Sequence, residues 1–154
     1  HWRTAVPARC FLSLLTLITL AFPVVANDRV SFDNAIVRRP LSTQDFTAAY
    51  VDITNHGNTQ LIITSADAPW SGTIEFHETV ITPERARMRQ LARLVVEPNA
   101  TLHLAPGRAH IMLFRLKLNG TPDPTITFVT TDGERLPASF EIKSIETLGD
   151  LKVH

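Results

Sequence analysis

The sequence predicts an all-β fold, a sandwich or barrel of short strands. Three observations carry that reading. No stretch of 12 or more residues shows a clean 3.6-residue apolar period, so the pattern contains no amphipathic helix. Alternating segments rich in β-branched and aromatic residues recur at close spacing, punctuated by Pro106-Gly107, Asn119-Gly120 and Asp132-Gly133. Ten prolines and a modest aromatic content suit strands joined by turns better than a helical bundle. At 154 residues the chain can bury one core and is short for two. We find no internal repeat, no low-complexity tract and no second-domain linker.

The N-terminal 26 residues read as a targeting segment. His1 to Arg9 is short and basic, Phe11 to Phe22 is a largely apolar run, and Pro23-Val24-Val25-Ala26 adds a break and small residues before Asn27. That layout predicts a cleavable secretory signal, cut after Ala26, and an extracytoplasmic, periplasmic destination. A run of 12 residues falls short of the roughly 20 that a transmembrane helix requires. Cys10, the single cysteine, precedes the apolar run, whereas a lipid-bearing cysteine would follow it. The mature chain is therefore expected to lack a stable membrane anchor. It also lacks any means of forming a disulfide, a thiolate metal site or a cysteine nucleophile, which excludes blue-copper electron carriers. Removing Arg3 and Arg9 from the 15 basic residues leaves 13 against 15 acidic, a net of about −2. No basic face or arginine-rich tract marks a nucleic-acid partner.

The domain proper spans residues 27–146, followed by a short polar tail, 147–154. Val30 to Val37 is the first predicted strand, with a turn from Arg38 to Ser42. Phe46 to Thr54 follows and ends on the turn signal Asn55-His56-Gly57-Asn58. Leu61 to Ala66 is the third strand. Thr73 to Val80 alternates, with Ile74, Phe76 and Val80 on one face and Glu75, His77 and Thr79 on the other. Thr82 to Arg87 is a helical turn or a hairpin loop. Arg89 to Val96 reads as one strand. Thr101 to Leu104 places Leu102 and Leu104 inward and His103 outward. His110 to Leu118 is the most apolar stretch, as a central strand should be. Thr125 to Thr130 and Pro137 to Ile145 complete the set.

Chemistry concentrates between His77 and Met112. His77, Met88, His110 and Met112 include both methionines of the chain. His110 and Met112, two residues apart on a strand, share a face. We expect the ends of three strands to meet at one rim there. Thioether sulfur is soft and neutral, and imidazole is intermediate. Two of each, without thiolate or carboxylate, suit Cu(I). Zinc would use cysteine, more histidine or an acid, and calcium or magnesium would need an oxygen cage. Both imidazoles must be neutral to bind, so affinity should fall below roughly pH 6. Taken singly, a strand methionine is usually core filler and a strand histidine usually a half-exposed surface residue. The spacing of all four is the informative feature.

That spacing, H-x10-M-x21-H-x-M, resembles the signature of periplasmic copper chaperones of the PCuAC type (a DUF461-like family). A chance match from this composition is on the order of one in ten thousand or rarer. The resemblance extends through Ala48 to Gly57, His77-Glu78, Pro106-Gly107 and His110 to Leu113, covering roughly Val30 to Ile142. It implies a cupredoxin-like β-sandwich that binds one Cu(I) per chain through His77, Met88, His110 and Met112. It further implies a monomeric, non-enzymatic carrier that hands copper to a copper-accepting subunit of a terminal cytochrome oxidase, often in concert with a thiol-bearing Sco-type chaperone. There are departures. Relatives often hold extra methionines near the first histidine and before Met88, where this chain has Glu78, Thr79 and Ala86. The tail lacks a second His- and Met-rich site, and Ile36 replaces an aromatic of the first strand.

Two rival readings have different consequences. A metal-free secreted β-sandwich acting as an interaction module would keep its methionines in the core. An enzyme would need a nucleophile motif, an HExxH, a phosphate loop or converging acids. None is present, and Glu75 and Glu78 alternate to opposite faces. His56 in a turn, His103 on an outward face and His154 in the tail carry no expected metal role. Asn99-Ala100-Thr101 and Asn119-Gly120-Thr121 read as turn residues.

Overall fold

Strand alternation in the sequence becomes two packed sheets in the computed structural model, which describes residues 28–119 and 124–144. The predicted signal segment, Gly120 and Thr121 of the Asn119-Gly120-Thr121 turn, Ile145 at the end of the last predicted strand, and the whole of the tail with His154 lie outside the described residues. Eleven strands are found among the described residues: β1 (Val30–Arg38), β2 (Phe46–Asn55), β3 (Leu61–Asp67), β4 (Ser71–Ile81), β5 (Ala86–Leu91), β6 (Leu94–Val96), β7 (Thr101–Leu104), β8 (Ala109–Leu116), β9 (Thr125–Thr130), β10 (Arg135–Ser139) and β11 (Glu141–Lys143). The larger sheet runs β11-β1-β2-β8-β4-β5, with β7 also paired to β2. The smaller runs β10-β9-β3-β6.

The core lies between the sheets. Val51, Ile53, Ile111 and Leu113 face inward from the larger sheet, and Leu61, Ile63, Ile126 and Phe128 from the smaller. Phe128 stacks on Phe32 with ring centroids 5.2 Å apart and on Phe76 at 6.5 Å. Trp70 is buried, and its indole N–H is satisfied by the Thr125 carbonyl at 3.0 Å. β8 is central, between β2 and β4, as its continuous apolar character predicts.

The turn after β2 has a specific lock. Asn55 is fully buried and its amide donates to the carbonyls of Thr59 (2.7 Å) and Val96 (3.1 Å), while its Oδ1 accepts the Gly57 N–H at 3.0 Å. A Cβ on Gly57 would come within 3.0 Å of Arg29 and 3.2 Å of Asn55 Oδ1, so the tight approach suits glycine. Between β4 and β5 the chain makes a hairpin. Thr82 N–H donates to Arg85 O at 2.9 Å, and the Thr82 hydroxyl accepts from Arg85 N–H at 3.3 Å.

Two predicted strands are split. The stretch 89–96 is not one strand: β5 belongs to the larger sheet and β6 to the smaller, with a bend at Ala92-Arg93. Leu91 and Leu94 stand three residues apart, which breaks the period of two where the chain changes sheets. The stretch 137–145 is also two strands. β10 begins earlier, at Arg135, and pairs antiparallel with β9, while β11 pairs parallel with β1. Phe140 sits between them, buried in the core, with its N–H on Pro124 O at 2.9 Å. Pro137 falls on β10, an edge strand that needs no donor from it.

Candidate metal centre

Antiparallel register brings the four candidate residues onto one face. β4 and β8 are neighbours, with His77 opposite His110 and Glu75 opposite Met112. On the other side of β4, Met88 stands opposite Thr79 and Gln90 opposite His77. Residues directly opposite in such a pair share a face and lie close together. Phe76, Ile111 and Leu113 point into the core, so Glu75, His77, Thr79, His110 and Met112 look outward. The location corrects the expected meeting of strand ends at a rim. The residues lie on the outer surface of the larger sheet, across β5-β4-β8, because lateral pairing and not the strand termini juxtaposes them.

The histidines have defined environments. His110 is only 3% exposed, and its Nδ1 lies 2.9 Å from the Arg108 carbonyl. The same carbonyl accepts the Thr79 N–H at 3.3 Å. His77 places Nε2 at 2.8 Å from the Glu75 carboxylate. Carbonyls and carboxylates only accept, so the nitrogen facing each carries the proton, and in a neutral ring the other nitrogen bears a bare lone pair. Those other nitrogens, His77 Nδ1 and His110 Nε2, are buried without a hydrogen-bond partner among the described residues. Buried polar atoms in folded proteins are rarely left so. The two rings are 6.1 Å apart between centroids and tilted by 36°. The two histidines are thus close neighbours across β4 and β8.

Met88, His110 and Met112 line one open cleft of ≈ 210 Å³, and His77 adjoins it through its contact with His110. The cleft is also lined by Arg38 at the end of β1, by Arg39 and Leu41 of the segment that follows it, and by the Pro106-Gly107 turn. Met88 is 61% exposed and Met112 partly exposed, so neither is core filler. Among the described residues no three His, Cys, Asp or Glu side chains converge, the set a harder or borderline ion would require. The donors on offer are two imidazoles and two thioethers, and they fit a soft monovalent ion. Tyr50 also lines the cleft. Burial pushes its phenol above the ordinary range, partly offset by the Arg38 guanidinium.

Sequence reasoning singles out neither Glu75 nor Tyr50 as part of this region. Glu75 does carry a signal, since it shares the face of His77 at a spacing of two. Glu75 and Glu78 do lie on opposite faces, and Glu78 pairs with Arg89. The remaining described histidines are engaged elsewhere: His103 with Asp52 at 2.7 Å and His56 with Ser31 at 2.8 Å.

Comparison with known proteins follows the same lines. The model of the family described as “Putative lipoprotein LpqE-like” matches residues 30–142. A protein of Leifsonia xyli subsp. xyli named “Putative lipoprotein Lxx21020” is 35% identical over 101 residues, which is 63% of this chain and 60% of that protein's length. Among solved structures, the copper-bound PCuAC domain from PmoF2 superposes with a TM-score of 0.62 at 14% identity, over 75% of this chain and 93% of that domain. Apo-DR1885 from Deinococcus radiodurans gives 0.58 at 23% identity, over 93% and 97% of the two chains. The CuI-DR1885 structure gives 0.57 at 27% identity, over 71% and 74%. The two sheets thus have the cupredoxin-like arrangement of PCuAC domains. On the match over residues 30–142, the chain belongs to the LpqE-like family and has the PCuAC fold.

Proposed function

We propose that this protein is an extracytoplasmic Cu(I) carrier in which His77, Met88, His110 and Met112 hold one copper ion per chain. One observation carries the reading. Two buried imidazole nitrogens, each without a hydrogen-bond partner among the described residues, belong to neighbouring rings on β4 and β8, with the only two methionines of the chain on the same face. Copper-bound relatives of the same fold support it. Copper is cargo here, not a catalytic group, and the donor set suits cargo. All four ligands are neutral, so no charge must be neutralised when the ion leaves. Met88 is the most exposed of them, and an incoming ligand would reach the ion from its side.

The recipient is proposed to be a copper-accepting subunit of a terminal oxidase, with a Sco-type thiol chaperone as a companion. The proposed location is the periplasm, reached by the signal segment before Asn27. The metal-free interaction module is less well supported, because it requires methionines in the core and Met88 is 61% exposed. The test is competition for Cu(I) against a chelator of known affinity, using the protein from Asn27 onward. Uptake of one equivalent is expected. No uptake at all contradicts the proposal.

A further inference from the structure

The Glu75–His77 contact has no place in the four-ligand motif, yet it determines which atom of His77 can act. Glu75 and His77 share the outer face of β4, and Glu75 Oε2 lies 2.8 Å from His77 Nε2. The histidine side chain is 17% exposed and the glutamate 32%. Glu75 has solvent on its far side, where it lines a second shallow cavity with Asp45, Thr73 and Arg115. A part-exposed contact of this kind contributes little to folding. Its consequence for the ring is larger. A carboxylate oxygen accepts, so in the neutral ring this contact places the proton on Nε2 and the lone pair on Nδ1, the buried nitrogen without a partner among the described residues. His110 is held in the opposite sense, with its proton on Nδ1 by the Arg108 carbonyl and its lone pair on Nε2.

We propose that Glu75 is a positioning residue for copper capture: it fixes the ring and tautomer of His77 so that Nδ1 is the donor atom, pairing with Nε2 of His110. The proposal rests on the Cu(I) reading above. Two histidines on adjacent strands whose rings used the same nitrogen would point their lone pairs differently. The hydrogen bonds here select one nitrogen from each. Partners of this type orient metal-bound imidazoles, and their removal typically costs 10–100-fold in affinity, about tenfold at the least.

The experiment compares wild type, Glu75→Ala and Glu75→Gln. Glutamine keeps an acceptor oxygen for the Nε2–H but carries no charge. In the copper-free proteins, long-range proton–nitrogen correlation spectra at a pH where the imidazoles are neutral report the His77 tautomer directly. Wild type and Glu75→Gln are expected to hold the proton on Nε2, and Glu75→Ala to gain the Nδ1–H form. Cu(I) affinity by chelator competition should fall by about 10–100-fold in Glu75→Ala and stay within a few-fold of wild type in Glu75→Gln. Unchanged tautomer and affinity in Glu75→Ala would overturn the role of Glu75 alone. An equal loss in Glu75→Gln would also overturn it, since charge and not the hydrogen bond would then be responsible. A wild-type protein that takes up no Cu(I) is a different failure, that of the carrier reading, and the copper-free spectra separate the two.

Discussion

Met88 and Met112 differ in what a substitution would cost the fold. Met88 is 61% exposed on an edge strand, so Met88→Leu should leave thermal stability within about 0.5 kcal/mol of wild type. Its Cu(I) affinity should nevertheless fall at least tenfold, about 1.4 kcal/mol, because leucine has no donor. Parallel melts and chelator competition on the one variant check both halves. Tyr50 gives a prediction about pH. Burial raises its phenol above the ordinary range despite Arg38, so the neutral form is favoured in the folded state. A group with a raised folded pKa supports the fold below its unfolded value, near 10, and loses that support as pH rises through the folded value. Wild type should therefore lose stability above about pH 10 more steeply than Tyr50→Phe, as melting midpoints across that range would reveal. Residue chemistry was partly legible in the sequence. The four candidate ligands stand out by type and spacing, but the nitrogen each histidine offers does not. That choice depends on Glu75 and on the Arg108 carbonyl, and a carbonyl's direction is written in no residue code.

Elements were legible where alternation is unbroken. β7 and β9 follow their patterns residue for residue, and β8 is central as its apolar run predicts. The two split strands were not, because the pattern of one segment does not say which sheet it joins. At Leu91–Leu94 the spacing of three marks the crossing. At Phe140 the inward alternation of Leu136, Ala138 and Phe140 continues while the pairing partner changes, so only the tertiary structure reveals it. Placing the candidate centre on a sheet face needed the β4–β8 register, which no local pattern encodes. Loops that set the elements should be sensitive in turn. Asn55 makes three hydrogen bonds from full burial, tying the β2 turn to β6 through the Val96 carbonyl. Asn55→Ala should destabilise by about 1–3 kcal/mol, the cost of leaving buried partners unsatisfied. Denaturant unfolding would measure it, and a loss under 0.5 kcal/mol would show that water replaces the amide.

At the scale of the whole molecule, the sandwich acts as a rigid frame for a surface site. The larger sheet is tied to the core on its inner face by Ile111, Leu113 and Phe76, and alternation leaves the outer face free for His77, His110 and Met112. The main core lies on the other side of the sheet, so Met88 and Met112 can stay partly exposed and exchangeable there while His110 is held buried between its neighbours. Binding to the folded state alone must raise stability, by about 2.7 kcal/mol at a free Cu(I) concentration of 100 Kd. A melting midpoint that rises on adding Cu(I), and fails to rise in the His77→Ala variant, is the expected outcome. The most direct measurement is copper stoichiometry in wild type and in the Met88→Leu/Met112→Leu double variant, on protein from Asn27 onward, with folding monitored by circular dichroism. One Cu(I) per wild-type chain and none tightly held by the folded double variant is predicted. Unchanged stoichiometry and affinity in the double variant would contradict the assignment of the centre.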